Sequence, residues 1–315
     1  MEVVTFGETM VLFSPDSTGP LRYVHHFNKS IAGAESNVAI ALARLGHQVG
    51  WFSKLGDDEF GRYIKSVIRG EGVDVSKVVI DRERSTGLLF KERFAHVNPN
   101  IYYYRKNSAA SNIGIEDIDD TYIKEAQILH ITGITPALST TAREAVYKAI
   151  KIAKEHNVLV SFDPNIRLKL WTLEEARSVL LDISKLADII FPGIDEGKML
   201  LGTDDPVEIA DRFLNMGCSI AAVKLGKEGC YVANKEEACF VRGFVVEKLE
   251  DTVGAGDGFS AGFVSGILQK MSLMECAELA NGVGAMATLV RGDMEGFPTL
   301  SQAFEFMGKE EHIDR

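Results

Sequence analysis

The stretch Asp251-Thr-Val-Gly-Ala-Gly-Asp257 constrains this 315-residue chain more than any other segment. Gly254 and Gly256 permit tight turns with positive φ, and the apolar run at residues 259–268 predicts a helix that begins here. Backbone N–H groups at such a helix start can hold phosphate oxygens. Asp257 would repel a phosphate, so we interpret its carboxylate as a general base for an attacking hydroxyl. The alternative is an acidic residue that only stabilises the first turn.

Composition argues against several classes of partner. The 34 Lys and Arg residues against 45 Asp and Glu give a net charge of −11, which should repel nucleic acid and anionic lipid. The hydrophobic fraction is 46%, and no apolar run of about 18 residues is present, which predicts a soluble globular protein without a membrane span. The four cysteines lie in apolar segments without Cys-x-x-Cys spacing, as expected for reduced core residues. Residues 1–7 predict a strand and show no secretory signal, so we expect a cytoplasmic protein.

Short apolar strands alternate with amphipathic helices along most of the chain. Strands are predicted at residues 3–6, 48–53, 128–132, 158–162, 188–191, 219–224, 231–232 and 240–246. Helices are predicted at residues 33–46 and 57–70, and at the capping boxes Thr141-x-x-Glu144 and Thr172-x-x-Glu175. This alternation predicts an α/β fold with a mainly parallel sheet, helices on both faces, and ligands at the carboxyl ends of the strands.

Two segments interrupt this pattern. Residues 9–32 are polar and contain prolines, and residues 85–107 predict two strands joined by a turn around Asn98-Pro-Asn100. Together these segments predict a small β lid that stands off the main domain. The main domain then comprises residues 1–8, 33–84 and 108–315.

Three further polar patterns suggest ligand contacts. Arg167, in the turn Asp163-Pro-Asn-Ile-Arg167, can hold a phosphate or carboxylate, although a surface salt bridge with Asp163 is the alternative. Tyr103 and Arg105 alternate onto one face of a lid strand, where an inward cation would suit an anionic substrate; simple packing is the alternative. The turn at residues 224–229 is bounded by glycines and suits either a nucleotide or an ordinary hairpin.

The motif at residues 251–257, followed by Gly258-Phe-x-x-Gly-Phe263, resembles the C-terminal signature of the PfkB-type carbohydrate kinases, the ribokinase family. Residues 46–58 and Glu71-Gly-Val-Asp74 resemble that family's N-terminal region. The resemblance implies a ribokinase-like three-layer sandwich whose β lid covers the sugar. It also implies phosphoryl transfer from ATP with Mg²⁺, and a monovalent cation is a further candidate cofactor.

The resemblance also implies roles for individual residues. Asp257 becomes the catalytic base, and the amides of Gly254, Ala255 and Gly256 stabilise the developing negative charge and contact ATP. Asn165 is carried over to the nucleotide side, and Arg167 to the junction between phosphates and substrate. The remaining nucleotide contacts implied are Lys224, Gly226, Lys227 and Gly229, and the remaining substrate contacts are Gly33, Asn37 and Asp293.

Two positions depart from the family pattern. Ala32 replaces the first glycine of the pair that ends at Gly33. Gly193 replaces the Asn of the Asn-x-x-Glu motif, which retains Glu196 as an indirect metal contact. Mg²⁺ should therefore bind chiefly through ATP phosphates and water. The seven histidines show no metal-ligand spacing, which argues against a transition-metal site.

The pair Tyr103 and Arg105 resembles the lid strand of the 2-keto-3-deoxygluconate kinases within the family. This resemblance predicts transfer of the γ-phosphoryl group of ATP to the 6-hydroxyl of 2-keto-3-deoxygluconate, which gives 2-keto-3-deoxy-6-phosphogluconate. A kinase of fructose or another neutral sugar is the alternative. A dinucleotide-dependent oxidoreductase is disfavoured because Phe259 stands where that fingerprint needs a third glycine. A regulatory protein without catalysis is disfavoured because Asp257 is retained. We expect small-molecule partners and a homo-oligomer formed through the lid.

Overall fold

The computed structural model describes residues 1–94 and 100–309. The strands in chain order are β1 (Val3–Phe6), β2 (Met10–Pro15), β3 (Phe27–Ala32), β4 (Val49–Phe52), β5 (Lys54–Gly56), β6 (Val79–Asp81), β7 (Leu88–Lys91), β8 (Ile101–Tyr104), β9 (Ile128–Thr132), β10 (Leu159–Asp163), β11 (Ile189–Ile190), β12 (Ile220–Lys224), β13 (Gly229–Ala233) and β14 (Ala238–Arg242). The helices are α1 (Ala34–Arg44), α2 (Glu59–Gly70), α3 (Asp120–Lys124), α4 (Thr135–Leu138), α5 (Thr140–Glu155), α6 (Leu173–Ser184), α7 (Ile194–Leu201), α8 (Pro206–Met216), α9 (Ala255–Leu268), α10 (Leu273–Ala287) and α11 (Leu300–Phe306).

The central sheet has the strand order β14-β13-β12-β11-β10-β9-β1-β4 within the described residues. All neighbouring pairs from β4 to β12 are parallel, whereas β13 and β14 are antiparallel. Parallel strands must be covered on both faces, which explains why these strands are short, apolar runs. The predicted mainly parallel α/β fold is confirmed.

Successive side chains on each strand point to opposite faces of the central sheet and contribute to two hydrophobic cores. On β1, Val3 belongs to the core shared with α1, α9 and α10, and Val4 belongs to the core shared with α5, α6 and α8. This arrangement gives the helix–sheet–helix sandwich expected from the sequence. The carboxyl ends of β1, β9, β10 and β12 therefore meet at one edge, where a site can form.

Helix starts follow local capping rules, with one correction. Thr172 caps α6 as predicted, because its side chain accepts a hydrogen bond from the N–H of Glu175. The predicted start at Thr141 is wrong. Ser139 caps α5 instead, accepting from the N–H of Ala142, while the Thr141 hydroxyl bonds to Ser139. Residues 139–141 are three consecutive hydroxyl residues, each of a type that can cap a helix, and the sequence pattern did not distinguish them.

Several strand boundaries also differ from the sequence prediction. The strand predicted at residues 240–246 spans Ala238–Arg242 and stops before Gly243. A Cβ on Gly243 would lie 2.4 Å from the carbonyl oxygen of Lys227, so the chain there is pressed against the turn between β12 and β13. Likewise, the helix predicted from residue 259 begins at Ala255, which places Asp257 in its first turn.

The second sheet is separate and has the order β3-β2-β7-β8. Its strands lie inside the two ranges for which the sequence predicts a lid. Stacked Phe13 and Phe90 rings, 4.9 Å apart, form its apolar centre, and Phe60 of α2 packs edge-on against Phe13. Most of the predicted turn at Asn98-Pro-Asn100 lies outside the described residues. The division into a main domain and a β lid stays a prediction.

All four cysteines are free; Cys218, Cys230 and Cys276 are buried, and Cys239 is half-buried. Within residues 1–94 and 100–309, no helix combines the length and apolarity needed to cross a membrane.

The close packing of α9 on α10 leads to a test of the fold. A Cβ on Gly262 would lie 2.8 Å from the Cα of Ala280, so Gly262→Ala should lower the free energy of unfolding by about 1–3 kcal/mol. Gly70→Ala is the matched control, because a Cβ there meets nothing within 4 Å and should leave stability unchanged or raise it by up to about 1 kcal/mol. Urea unfolding of both variants measures the difference. Equal stabilities would contradict the packing argument.

Candidate active site

The start of α9 lies against the loop that contains Asp293. Gly254 has φ 79°, and a Cβ there would lie 2.1 Å from the carbonyl oxygen of Asp293, so this turn requires glycine. The N–H groups of Gly256 and Asp257 donate to no group within the described residues, as expected for a first helical turn. The predicted set of Gly254, Ala255 and Gly256 is therefore open only in part, because the Ala255 N–H donates to the carbonyl of Thr252 over 3.4 Å. The free N–H groups of Gly256 and Asp257 form an open, partly positive helix terminus.

Asp257 and Asn37 meet at this terminus. The Nδ2 of Asn37 donates to the Asp257 Oδ2 over 2.7 Å, although 220 residues separate them in the chain. Burial, together with the Asp163 carboxylate, raises the pKa of Asp257 to about 7, while the Asn37 hydrogen bond and the charges of Arg167 and Lys224 oppose the rise. A carboxylate with this pKa is suited to exchange a proton near neutral pH.

A buried ion pair lies beneath the helix start. Lys224 at the end of β12 donates to the Asp163 Oδ2 over 2.7 Å, and Ser260 of α9 donates to the same oxygen over 3.2 Å. The Lys224 ammonium is 3.7 Å from where a Cβ on Gly256 would stand. Burial alone would lower the pKa of Lys224, but the carboxylates of Asp163 and Glu196 outweigh it and raise that pKa. The ammonium thus stays charged under the open amides.

This ion pair decides one of the alternatives left open by the sequence. Asp163 pairs with Lys224, and Arg167 has no ion-pair partner among the described residues. Arg167 is exposed, and its charge acts on the pKa of Asp257. Asn165, two residues before it, adopts φ 36° while its N–H donates to Asp163. The turn therefore carries an exposed guanidinium whose charge reaches Asp257.

Glu196 is held by backbone rather than by a cation. Its two carboxylate oxygens accept from the N–H of Gly193, over 2.8 Å, and of Ile166, over 2.9 Å. Burial raises the pKa of Glu196, and the Lys224 charge opposes the rise. In the parts of the chain that the structure describes, no group of three His, Cys, Asp or Glu side chains is arranged for a metal. The metal contact predicted for Glu196 stays a prediction. The observed hydrogen bonds of Glu196 join the start of α7 to the turn at residues 163–167.

Arg105 is paired with a residue that sequence reasoning missed. Its Nε donates to the Glu8 Oε2 over 2.6 Å, and its Nη2 also lies against that oxygen. Tyr103 lies on the same side of the strand, with the Arg105 guanidinium 5.7 Å from its ring centroid. Glu8 follows β1 and carries no sequence pattern that would signal this contact. The lid cation therefore has a buried counter-charge, which the sequence did not indicate.

Two lysines missed by sequence reasoning connect the lid with the main domain. Lys169 donates to the carbonyl of Ile101 over 3.2 Å and lies 5.5 Å from the Tyr103 ring centroid. Lys91 pairs with Asp251 over 2.7 Å. Both contacts join segments far apart in sequence, so no local spacing could have identified them.

The other residues predicted to contact the substrate or the nucleotide lie near the same edge of the central sheet. Burial, and then the nearby Asp257 carboxylate, raises the pKa of Asp293 to about 7. Gly33 precedes α1 and lies against the Glu8 backbone, where a Cβ would be 2.6 Å from the carbonyl oxygen. Gly226 and Gly229 have φ 60° and φ 106°, so the turn between β12 and β13 depends on glycine. Lys227 in this turn is exposed.

Comparison with known proteins identifies the class of this chain. Residues 1–300 match the pfkB family of carbohydrate kinases, and the chain belongs to that family. It is 42% identical to a 2-dehydro-3-deoxygluconokinase of Bacillus subtilis over 316 aligned residues, which cover 99% of this chain and 97% of the relative. It is 38% identical to a 2-dehydro-3-deoxygluconokinase of Thermoproteus tenax, with 98% and 94% covered.

A solved structure supports the same fold. The crystal structure of a putative ribokinase II from E. coli in complex with ATP and Mg²⁺ is 27% identical, with a TM-score of 0.91. The match covers 98% of this chain and 99% of that chain. The ribokinase-like fold implied by the resemblance is confirmed.

The raised pKa of Asp257 predicts a pH profile. A general base, the role predicted for Asp257, is active when deprotonated, so kcat/KM should fall about tenfold for each pH unit below pH 7. Asn37→Ala removes a hydrogen bond that lowers this pKa, and it should move the acidic limb to higher pH. Initial rates at saturating ATP between pH 5 and 9 measure both profiles. If kcat/KM falls at the same pH in both proteins, Asp257 is not the base that controls the acidic side of the profile.

Proposed function

We propose that this family member is an ATP-dependent kinase of 2-keto-3-deoxygluconate, also called 2-dehydro-3-deoxygluconate. The observation that carries the proposal is the Asp257 carboxylate, held by Asn37 at the open start of α9 and given a pKa of about 7. The relatives named above, which align over nearly the whole chain, support the choice of sugar acid. The lid guanidinium of Arg105 is the group that we assign to the acid end.

The reaction follows from the placement of these groups. Asp257 takes the proton of the sugar 6-hydroxyl as its oxygen attacks the γ-phosphorus of ATP, and the bond from that phosphorus to the bridging oxygen of ADP breaks. The free amides of Gly256 and Asp257 lie where negative charge develops on the transferred group. Arg167 offsets further phosphate charge from the exposed edge of the turn.

The open amides and the exposed guanidinium of Arg167 fit a polyphosphate. The described carboxylates of this edge are not arranged as a set of three metal ligands, which fits a metal held mainly by ATP phosphates and water. Mg²⁺ supplies neutralisation of the phosphate charge. Dependence on a monovalent cation is a separate part of the proposal, and rates in potassium against tetramethylammonium chloride test it.

Removal of the base tests the catalytic assignment. Asp257→Asn keeps the shape of the side chain and its contact with Asn37 but cannot accept the proton, so kcat should fall by about 100- to 10,000-fold. ATP binding, measured by calorimetry, should change little. Turnover within a factor of about three of the unaltered protein would rule out Asp257 as the base.

A substrate panel tests the sugar. Coupled ADP release with Mg²⁺ present should be fastest with 2-keto-3-deoxygluconate, compared with fructose, ribose and gluconate. A preference for fructose or ribose would favour the neutral-sugar alternative, because such a sugar has no carboxylate for Arg105. Phosphorylation of none of these sugars would contradict the proposal as a whole.

Removal of the Arg105 guanidinium tests more directly whether the substrate is a sugar acid or a neutral sugar. Arg105→Ala should raise KM for the sugar acid by about tenfold or more, because a charge-assisted hydrogen bond is lost, and should affect a neutral sugar much less. Arg93→Ala is the matched control, since Arg93 is a lid arginine whose guanidinium, among the described residues, hydrogen-bonds only to the carbonyl of Asp16. Equal losses for acid and neutral sugars would refute acid recognition by Arg105.

We also propose that the lid joins copies of this chain into a homo-oligomer. Tyr102 and Tyr104 on the edge strand β8 are 43% and 65% exposed, and an edge strand offers unpaired backbone groups. Sedimentation velocity of the unaltered protein and of Tyr104→Lys tests this. A monomer in both cases would contradict it. The cytoplasmic location expected from the sequence stays a prediction.

A further inference from the structure

Glu8 occupies an unusual position for a carboxylate. Its side chain is fully buried, immediately after β1, at the junction of the central sheet with the lid. Its Oε2 accepts from Arg105, and its Oε1 accepts from the Ser108 hydroxyl over 2.5 Å. A buried carboxylate is costly unless it is paired and hydrogen-bonded, and here both oxygens have a partner.

The contact fixes one edge of the Arg105 guanidinium and leaves another free. Nε donates to the Glu8 Oε2, and Nη2, which is sealed from solvent and makes no hydrogen bond among the described residues, lies in ion-pair contact with the same oxygen. Nη1 has no protein partner among the described residues. A planar guanidinium gripped along one edge can present its remaining N–H groups in only one direction. Tyr103, whose ring lies beside the guanidinium, marks that side of the lid strand.

Glu8 also connects the two ends of the lid hairpin. Gly87 lies just before β7, and a Cβ there would be 2.7 Å from the Glu8 Oε1. Ser108 lies just after β8, and its hydroxyl holds the same oxygen. The carboxylate therefore relates the entry and the exit of the hairpin to the end of β1. Without it, a long arginine side chain at this place has many rotamers.

We propose that Glu8 is a positioning residue for recognition of the sugar acid: it holds the Arg105 guanidinium so that Nη1 faces the substrate carboxylate. The inference rests on the proposed function and deepens it. Glu8 itself touches no substrate. Its carboxylate cancels much of the lid cation's net charge, so preference for the acid arises from the direction of the remaining N–H donors rather than from unopposed charge.

Glu8→Gln tests the proposal, because it keeps the volume and removes the charge that fixes the guanidinium. KM for 2-keto-3-deoxygluconate should rise about tenfold, as for loss of one charge-assisted hydrogen bond, while kcat and KM for ATP stay within about twofold. A purely structural role would lower the melting temperature and reduce turnover of every substrate together. That outcome would overturn the inference.

The matched control is Glu92→Gln. Glu92 is another buried lid carboxylate, and its partners are the backbone of Leu21 and the side chains of Asn100 and Tyr102, not Arg105. It should leave KM for the sugar acid unchanged. A rise equal to that of Glu8→Gln would show that any buried lid charge has this effect, and would overturn the specific role of Glu8.

A double-mutant cycle completes the test. In the Arg105→Ala background, Glu8→Gln should no longer change KM for the sugar acid, because the group that it positions is gone. Additive effects would overturn the inference.

If Glu8→Gln does not fold, Ser108→Ala substitutes for it. This variant removes the partner of only one Glu8 carboxylate oxygen, so it should raise the same KM by about two- to threefold. An unchanged KM in that variant would count against the proposal.

The unaltered protein separates this inference from the proposed function. If it phosphorylates the keto-deoxy acid and the cycle is additive, only the role of Glu8 fails. If it prefers a neutral sugar, the proposed substrate fails first, and acid recognition through Glu8 and Arg105 fails with it.

Discussion

The ion pair between Lys224 and Asp163 is the interaction on which the candidate site depends. These residues end β12 and β10, which flank the short strand β11, so the pair is fixed by the parallel sheet itself. Its ammonium lies under the first turn of α9, and Ser260 of that helix bonds to the same carboxylate. Sheet and helix start are therefore held in one arrangement, which keeps the open amides beside Asp257.

Holding several charged groups in a poorly solvated region lowers stability, but the proposed chemistry of the site requires these groups. The edge gathers Asp163, Glu196, Asp257 and Asp293 in a region of low solvent access, and burial raises the pKa of the last three. Lys224 and Arg167 supply the opposing charge. A site that brings a polyphosphate to a general base needs both signs of charge close together. An apolar replacement of this cluster would pack more easily, but it would provide neither a proton acceptor nor a cation.

The lid shows the same principle at its base. Arg105 is held by buried Glu8, Lys91 of β7 pairs with Asp251, and Lys169 bonds to the backbone of β8. Each contact joins a lid strand to the main domain through a charged group. A purely apolar hinge would not fix the direction of donors. The small sheet is therefore joined to the rest of the chain by charged contacts as well as by apolar packing.

The sequence by itself determined the alternation of strands and helices and the need for glycine at position 254, because these depend on local periodicity and local backbone freedom. It placed Tyr103 on a lid strand for the same reason, whereas Arg105, which it put on the same strand, lies one residue beyond the end of β8. Gly256, for which positive φ was also expected, lies within α9. Only the tertiary structure decided that Asp163 pairs with Lys224 instead of Arg167, that Asn37 bonds to Asp257, and that Glu8 holds Arg105. Those contacts join residues up to 220 positions apart, and their partners are chosen by which strand ends meet in space. Local sequence patterns contain no information about which strand ends are neighbours in the folded chain.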